Sequence, residues 1–503
     1  MFKKIISIVS IISIVLSLAV FSTNADSIID PTKTCSITVH KFIADGHIAK
    51  MREAVTGIEL NPEDIDPDFK PLAGVVFKAT LLNADGSKTQ TVYTFDKTNA
   101  DGVATISGLA HGVYYVEEVT DTSKVASSAI PATVALPLTN AFGNGWVYDA
   151  HVYPKNEDVQ ICKDVNHLGN DHHTADINED ETWIVTSDIP DDIAPIEYTF
   201  KDGKKQSLDG YKKYEIVDEI DSRLQYTSTT KVVAVSGSKS DVEIGAETAL
   251  TENTDYTITV NGQKLTYALT QAGMKKISPY NGTVKATKIR IYFVTHIKDT
   301  ITESDLGVEI PNDVKLLFTN SFNEDGERVS DVPEVHTAGI KIFKYDADTN
   351  KPLKGAKFKI ATSLENANNG IFVQRDGADY ELTSDENGYL LFKGLSYGTK
   401  ASKYNDMSVK GTLVNEGETK YYIVETQAPM TADGDSYQLS VVPIEVKANS
   451  VSHLSANAVK VSNTPPVIIL TGGVGSTLFV VGILLAVMGA AGIFIVKKNK
   501  TLA

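Results

Sequence analysis

A lysine directly after a proline is the first residue whose placement suggests chemistry. The stretch GWVYDAHVYPKN reads as a strand-like run from Trp146 to Tyr153 that enters a tight corner and ends at Asn156. Pro154 fixes the backbone before Lys155, and Trp146 and Tyr153 could pack the strand beneath it. We therefore expect the Lys155 amine to be exposed and rigidly placed, as a nucleophile must be. An ordinary surface lysine in a strand-end turn is the alternative.

Two glutamates stand on strand faces that are otherwise apolar. In YYIVETQAP, alternation places Tyr421, Ile423 and Glu425 on one face of a strand. GVYYVEEV repeats the arrangement more weakly, with Glu118 in the corresponding position. A carboxylate on an apolar face must be paired or protonated, so each glutamate is expected to meet a partner inside the protein. The alternative is an edge glutamate that points into solvent.

The strands that must position these residues recur in two copies of one module. The first copy runs through SITVHKF, LAGVVFKA, TNADGVATISGL and GVYYVEEV, and the second through GIKIFKYD, LKGAKFKI, TSDENGYLLFKGL and KYYIVETQAP. Each copy has a strand with a lysine, a Leu-x-Gly-x-x-Phe strand, an Asp/Asn-Gly turn and a tyrosine-rich strand with glutamate near its end. Alternating apolar residues between such turns indicate antiparallel hairpins. We therefore predict two β-sandwich domains of one type.

The chain between the two copies predicts a larger β-sandwich of a second type. Its strand candidates are TWIVTSDI, KYEIVDEI, DYTITV, KIRIYFVTHI and VKLLFTNSF. The predicted fold is therefore all-β, with tandem immunoglobulin-like domains. The predicted segments are a signal peptide at 1–25, an N-terminal domain at 26–157, a middle domain at 158–335, a C-terminal domain at 336–465 and a terminal membrane segment at 466–503.

Both ends of the 503-residue chain are apolar, and they predict export. Lys3 and Lys4 precede a short apolar run and small residues, which is typical of a secretory signal peptide cleaved near Ala25, with a membrane anchor as the alternative. The apolar stretch 474–496 is long enough to span a bilayer, and the lysines after it predict a cytoplasmic tail. The chain between these segments would lie outside the cell.

The exported part is acidic and poor in cysteine. The whole chain carries a net charge of −17, and the lysines of the two ends make the remainder more acidic still. This charge argues against nucleic acid and anionic membranes as partners. Cys35 and Cys162 are the only cysteines, so we expect no disulfide framework. The two either pair with each other or remain buried thiols.

In these motifs the chain resembles the backbone subunits, or major pilins, of sortase-assembled pili in Gram-positive bacteria, over nearly its whole length. VYPKN resembles the pilin motif of that family, and YYIVETQAP resembles its E-box. The resemblance implies that the Lys155 amine attacks an acyl-enzyme and so joins one subunit to the next. It also implies a collagen-adhesin A-type fold for the middle domain and a B-type fold for the C-terminal domain.

The resemblance further implies one lysine–asparagine isopeptide bond in each domain, formed without a cofactor. Burial lowers the lysine pKa and makes the amine nucleophilic, a buried carboxylic acid polarises the asparagine amide, and ammonia leaves. The implied sets of lysine, acid and asparagine are Lys41, Glu118 and Asn156; Lys163, Asp218 and Asn320; and Lys344, Glu425 and Asn463. A strand lysine with its head in water is the alternative for each.

The C-terminus resembles a sortase sorting signal, with Ile-Ile-Leu-Thr-Gly at 468–472 in place of the usual Leu-Pro-x-Thr-Gly. Cleavage would fall between Thr471 and Gly472, and the Thr471 carbonyl would pass to Lys155 of another copy. Because Ile469 replaces the proline, we expect a dedicated pilus sortase rather than a housekeeping one. A permanently inserted membrane protein is the alternative.

The histidine-rich stretch HLGNDHHTADINEDE matches no defined metal spacing. Polar stretches of this kind are usually solvated loops, so His167, His172 and His173 are not expected to bind metal. We expect no metal and no cofactor. The sequence also shows neither a phosphate-binding loop nor a nucleophile elbow, and an enzyme acting on outside substrates is unsupported.

We therefore expect a structural shaft subunit of a pilus anchored to the cell wall, whose own chemistry is limited to single-turnover cross-linking. The partners implied by the resemblance are a pilus-specific sortase, other copies of the chain, accessory pilins and, through the sortase, peptidoglycan. Host surface ligands stay open as partners. The alternatives are a monomeric wall- or membrane-anchored adhesin, or an accessory pilin, built from the same modules.

Overall fold

The fold comes from a computed structural model. It describes residues 28–43, 57–65, 67, 69–119, 129, 131–140, 145–156, 158–199, 205–238, 240–398 and 417–466. The predicted signal peptide, the apolar stretch 474–496 and the Ile-Ile-Leu-Thr-Gly motif lie outside these residues. Within the described part of the chain, no helix has the length and apolar character needed to cross a membrane.

The all-β prediction is confirmed, with strands making up 49% of the structure. Each sheet of the described residues takes its strands from one of three stretches, 35–156, 161–336 or 338–463. By compactness the described residues divide into two units, with the boundary between Thr337 and Ala338. The predicted boundary at 335/336 lies two residues from this division, and the predicted boundary at 157/158 falls inside the first unit.

The first stretch forms a four-stranded sheet, β5-β4-β7-β8, two three-stranded sheets, β11-β1-β6 and β12-β2-β3, and a two-stranded sheet, β10-β9. Its strands are β1 (Cys35–His40), β2 (Phe42–Ile43), β3 (Lys70–Pro71), β4 (Phe77–Leu82), β5 (Lys88–Thr94), β6 (Val103–Leu109), β7 (Gly112–Glu118), β8 (Ala132–Leu136), β9 (Leu138–Thr139), β10 (Trp146–Val147), β11 (Asp149–Val152) and β12 (Lys155–Asn156). A single 3₁₀ turn among its described residues spans Pro62–Asp64.

The beginning and the end of this first stretch lie side by side. β1 pairs in parallel with β11, and β2 pairs in parallel with β12. Alternation along β1 buries Cys35, Ile37 and Val39 in the core, as a half-buried strand requires. The run predicted as one strand up to Tyr153 is divided into β10 and β11, because β10 pairs with β9 in a separate hairpin.

The middle stretch contains two five-stranded sheets, ordered β13-β15-β23-β19-β20 and β21-β22-β18-β25-β26. Its strands are β13 (Ile161–Val165), β14 (His172–Thr174), β15 (Glu181–Asp188), β16 (Ile196–Thr199), β17 (Lys205–Leu208), β18 (Lys213–Glu219), β19 (Leu224–Ser236), β20 (Ala246–Ala249), β21 (Tyr256–Asn261), β22 (Lys264–Leu269), β23 (Lys288–Ile297), β24 (Ile310–Pro311), β25 (Val314–Thr319), β26 (Asp325–Val329) and β27 (Glu334–His336). The five predicted strands are all present. Helix α1 (Gln271–Ile277) is capped by the Thr270 side chain, and a 3₁₀ turn spans Glu303–Asp305.

The second unit packs a three-stranded sheet, β33-β28-β36, with a four-stranded sheet, β32-β29-β34-β35. Its strands are β28 (Ala338–Asp346), β29 (Lys357–Ala361), β30 (Gln374–Arg375), β31 (Ala378–Asp379), β32 (Glu381–Thr383), β33 (Tyr389–Leu395), β34 (Thr419–Gln427), β35 (Ile444–Ala448) and β36 (Val459–Asn463). Helix α2 (Leu364–Asn368) begins after the Ser363 cap, and a 3₁₀ turn spans Ser455–Asn457. The first and last strands, β28 and β36, pair in parallel.

The sequence repeat corresponds to one repeated backbone contact. In the first copy, the Lys41 amide donates to the carbonyl of the turn glycine Gly102 over 2.8 Å, and the Lys41 carbonyl accepts from Leu72. In the second copy, the Lys344 amide donates to the Gly388 carbonyl over 2.7 Å. Both glycines have φ above +70°, which an L side chain rarely adopts. The Asp/Asn-Gly turn of each copy therefore fixes the backbone of one lysine.

Candidate functional site

The three residues predicted for the C-terminal domain lie together in its interior. Lys344 on β28, Glu425 on β34 and Asn463 at the end of β36 are at most 3% exposed. The Lys344 Nζ lies 3.1 Å from Glu425 Oε1, and the Asn463 side-chain amide donates to the same oxygen over 3.0 Å. One carboxyl oxygen therefore faces both an amine and an amide nitrogen.

The N-terminal stretch repeats this arrangement with Lys41, Glu118 and Asn156. The Lys41 Nζ lies 2.9 Å from Glu118 Oε2 and also hydrogen bonds the side-chain oxygen of Asn156. The Asn156 amide donates to Glu118 Oε1 over 2.8 Å. Lys41 directly follows β1 and Asn156 ends β12, so the beginning and the end of the stretch supply the amine and the amide. The weaker sequence match around Glu118 yields the same geometry.

Burial controls the protonation of these lysines. It lowers the pKa of Lys41 to about 8, although the nearby Glu118 acts in the opposite direction. Burial also lowers the pKa of Lys344 in spite of Glu425. A lower pKa increases the share of neutral amine, which is the form whose electron pair can attack a carbonyl carbon.

In the middle domain the predicted lysine and acid also meet. Lys163 on β13 and Asp218 on β18 are fully buried and form an ion pair. Burial lowers the pKa of Lys163 and raises the pKa of Asp218. The rings of Trp183 and Phe293 lie 5.0 and 5.1 Å from the Lys163 Nζ. These apolar surroundings favour the neutral forms of both groups.

The asparagine predicted for this domain, Asn320, does not join the site, and that prediction is wrong. Its side chain closes a turn, where the amide donates to Glu324 and the carbonyl accepts from the backbone of Phe322. The Lys163 Nζ instead lies 3.4 Å from the carbonyl of Asp313, before the start of β25. The extended chain from Asp313 to Asn320 spans roughly 20 Å at about 3.3 Å per residue.

Strand direction explains the error. β25 runs antiparallel to β18 with Val314 opposite Asp218, so the start of β25, and not its end, lies beside the acid. In the other two domains the closing strand runs parallel to the opening strand, and an asparagine at its end reaches the lysine. The prediction that the asparagine lies at the end of a late strand therefore holds for the two repeated domains and fails in the middle domain.

Asn312, the residue before Asp313, is the asparagine found at the correct end of β25. It is 1% exposed, and neither polar atom of its side chain has a hydrogen-bond partner among the residues that the structure describes. Asp218 Oδ1 is also buried without a partner. An unsatisfied buried polar group costs about 1–3 kcal/mol, and such groups are uncommon in native proteins. In the sequence, the only signal for Asn312 is its position between Pro311 and a strand.

Lys155 lies in a short strand rather than in the exposed corner that we expected. It stands opposite Phe42 in the parallel pairing of β12 with β2. Its side chain is half-buried, and its amine donates to the Tyr153 carbonyl over 3.2 Å and lies 5.0 Å from the centre of the Phe69 ring. The amine therefore packs against the protein surface instead of standing free, because an aromatic ring attracts the cation.

The histidine-rich stretch is not the solvated loop that the sequence indicated. His172 is buried on β14, with its Nδ1 3.1 Å from Glu334 Oε1. The His173 Nδ1 lies 2.8 Å from Glu181 Oε2, which is buried as well. Successive residues of a strand point to opposite faces, so these two histidines do not share one site.

Cys35 and Cys162 are both free thiols. Burial raises the pKa of each thiol, with nearby carboxylates adding to the effect. A thiol with a raised pKa holds little thiolate and is a poor nucleophile. The described residues therefore owe none of their stability to a disulfide.

Comparison with known proteins agrees with this architecture. Residues 82–157 match a family model described as the Gram-positive pilin subunit D1, N-terminal domain, and residues 338–403 match a prealbumin-like fold domain. The fimbrial subunit type 1 of Actinomyces viscosus is 28% identical over 95% of this chain and 93% of its own length.

Solved major pilins share the fold. The full-length major pilin SpaD from Corynebacterium diphtheriae is similar over 87% of this chain and 99% of its own, with a TM-score of 0.60 and 22% identity. The major pilin SpaA of the same organism covers 86% of this chain and 100% of its own, with a TM-score of 0.50 and 19% identity. Its structure is described as pointing to a modular pilus assembly and to stabilizing isopeptide bonds.

The fold and the buried lysine–acid groups define a modular β-sandwich protein whose domains each enclose a potential amide-forming site. In its two matched domains, and over nearly its full length to the fimbrial relative, the chain is similar to Gram-positive pilin subunits.

Proposed function

We propose that this chain is the shaft subunit of a covalent surface pilus and that its domains cross-link themselves. The observation that carries the proposal is a buried carboxyl group that contacts both a buried lysine and a buried asparagine, present in two separate domains. The similarity to a fimbrial subunit over nearly the whole chain supports the same function.

The proposed reaction in the C-terminal domain joins Lys344 to Asn463. The neutral Lys344 amine attacks the side-chain carbonyl carbon of Asn463, the new C–N bond forms, and the bond to Nδ2 breaks. Glu425 Oε1 contacts both nitrogens, so it can take a proton from the attacking amine and return it to the leaving one. Ammonia leaves, and the glutamate ends as it began. The reaction needs no cofactor and happens once per site.

The same chemistry is proposed for the other two domains. Lys41 and Asn156 would join under Glu118, which contacts the amine with one oxygen and the amide with the other. In the middle domain we assign Asn312, in place of Asn320, as the partner of Lys163, with Asp218 as the acid. The unpaired amide of Asn312 and the unpaired Asp218 Oδ1 support this assignment.

Polymerisation is proposed to use the Lys155 amine. A pilus-specific sortase would cleave after Thr471 and transfer its carbonyl to Lys155 of another copy, with release of the enzyme cysteine. Accessory pilins and attachment to peptidoglycan would follow from the same enzyme chemistry. In this scheme Lys155 first leaves Phe69 and the Tyr153 carbonyl, and the sortase site would have to compensate for those two contacts.

A substitution of Lys155 in the native bacterium tests the polymer. Wall extracts of the unmodified strain should show a ladder of high-molecular-weight bands that react with antibody to this chain, and Lys155→Ala should leave only monomer. Lys97→Ala, which removes an exposed lysine of the same stretch, is the matched control and should keep the ladder. A monomer band in the unmodified strain would reject the shaft function and favour an adhesin.

A further inference from the structure

A cluster of two histidines and a glutamate lies beside the pilin lysine and is used by none of the proposed bonds. His40, Glu59 and His151 each offer one ligand atom, and these atoms all lie within 4.8 Å of one another. The two histidines are half-buried and the glutamate is exposed. No other group of three such ligands occurs among the described residues.

Backbone pairing determines this arrangement. His40 ends β1 and His151 lies on β11, and these strands pair in parallel. The His40 Nε2 and His151 Nδ1 are 2.9 Å apart. The segment that carries Glu59 is attached to the same strand on both sides, since the His151 amide donates to Gly57 over 2.7 Å. The Leu60 amide donates to the Tyr153 hydroxyl over 2.7 Å.

A hydrogen bond between the two rings is the simplest interpretation, but it leaves Glu59 without a reason to lie there. Two imidazole nitrogens and a carboxylate oxygen form the donor set that zinc takes in open, three-ligand sites. Tetrahedral ligands at about 2.1 Å from zinc lie about 3.4 Å from one another. The two histidine nitrogens lie 2.9 Å apart and all three donor atoms lie within 4.8 Å of one another, so modest movements of the two rings and of the exposed Glu59 side chain would reach this geometry.

We propose that His40, His151 and Glu59 bind a divalent transition metal of the zinc class, with at least one position left open to water or a further ligand. Ligation requires a neutral ring, and burial lowers the pKa of His40, with His151 adding to this effect and Glu59 opposing it. The ion would tie β1, β11 and the 57–60 segment together with bonds that none of these elements supplies alone.

The proposed metal site contacts Tyr153, the residue whose carbonyl holds the Lys155 amine. The His40 ring stacks on Tyr153 with centroids 4.6 Å apart, and the Tyr153 carbonyl accepts from the Lys155 amine. A metal at His40 would therefore restrict the residue that positions this amine. This consequence rests on the proposed role of Lys155, whereas the metal site itself does not.

Calorimetric titration of the full chain, purified in detergent and stripped with a chelator, tests the site. The unmodified chain should bind one more equivalent of Zn²⁺ than the His151→Gln variant. Glu59→Gln should weaken that equivalent by at least about tenfold. His111→Gln, a histidine of the same stretch outside the cluster, is the control and should bind like the unmodified chain. MgCl₂ should give no heat at this site, because magnesium prefers oxygen ligands.

Equal zinc stoichiometry for the unmodified chain and His151→Gln would overturn the proposal, as would equal binding of magnesium. If His151→Gln fails to fold, Glu59→Gln still decides, because its side chain is exposed: unchanged zinc affinity would reject the three-ligand site. None of these readouts involves polymerisation. A negative zinc result would therefore leave the proposed pilus function untouched. A failure of the pilus function would likewise leave the metal site untouched.

Discussion

Lys41, Lys163 and Lys344 are among the largest fully buried side chains of the described residues. Removing an ammonium group from water costs several kcal/mol even after the surroundings relax. An ion pair with a buried acid offsets only part of this cost, and the pKa values of the three lysines are lowered accordingly. Conversion of the amine to an amide would remove the buried charge altogether.

Intact mass gives the first prediction. A 26–466 fragment, which contains every described residue, should be lighter than its sequence by three ammonias. Each of Lys41→Ala, Lys163→Ala and Lys344→Ala should restore one. A mass equal to the plain sequence would leave only ordinary β-sandwiches.

The same measurement separates the two asparagines of the middle domain. Asn312→Ala should restore one ammonia, because it removes the proposed partner of Lys163. Asn320→Ala should keep the full deficit, because that side chain belongs to the turn with Glu324. The opposite pattern would show that Asn320 had been the partner after all.

A pH dependence follows from Lys41 when its bond is prevented. In Asn156→Ala the amine stays buried beside Glu118, and its pKa of about 8 lies below the ordinary 10.5. Between these two values the unfolded chain binds more protons than the folded chain, so stability should rise with pH by up to about 3 kcal/mol. Thermal unfolding from pH 7 to 11 measures this rise. The Lys41→Met/Asn156→Ala double variant is the control and should lack it.

At the scale of elements, two turns and two strand pairings place the reactive groups. Parallel pairing brings an opening and a closing strand together, and each Asp/Asn-Gly turn holds the backbone of one lysine. A Cβ at Gly102 would lie 2.3 Å from the Lys41 carbonyl oxygen, and one at Gly388 would lie 2.4 Å from the Lys344 carbonyl oxygen. Neither turn has space for a side chain without moving the lysine.

Gly102→Ala and Gly388→Ala should therefore leave a detectable fraction of chains without the bond of the affected domain, measured as one ammonia restored. Gly74→Ala and Gly355→Ala are the matched controls, because both glycines also have positive φ but face open space. These controls carry the backbone strain without the contact. If they lost the bond to the same extent, the turn contact would not be what positions the lysine.

At the scale of the whole molecule, the proposed bonds take the place of the disulfides that the free cysteines do not form. A cross-link between Lys344 and Asn463 would close nearly the entire second unit into one loop. By the loop-entropy argument used for disulfides, closing a loop of about 100 residues removes roughly 4–5 kcal/mol of conformational freedom from the unfolded chain. A force applied through the end strands would meet a covalent bond before it reached the sheet.

Asn463→Ala should consequently lower the stability of the second unit by roughly 4 kcal/mol, while the ion pair of Lys344 with Glu425 stays in place. Calorimetry should show its transition more than about 10 °C lower. Ser462→Ala changes an exposed neighbour and should have no such effect. An unchanged transition in Asn463→Ala would mean that the bond carries no stability.

The sequence alone determined the all-β fold, the two repeated modules and most of the candidate site. Alternation placed Glu118 and Glu425 on buried faces, and the resemblance supplied their lysines and asparagines, because it joins the opening and the closing strand of each module. The sequence did not predict that Lys155 lies in a short strand or that its amine packs on Phe69.

Only the tertiary structure decided the remainder. The partner of Lys163 depends on which end of β25 lies beside Asp218 on β18, and strand direction is a property of sheet topology that alternation does not encode. The cluster of His40, Glu59 and His151 likewise joins two strands and a separate segment that are distant in sequence. Local patterns record which face of a strand is buried, whereas long-range pairing decides which side chains meet there.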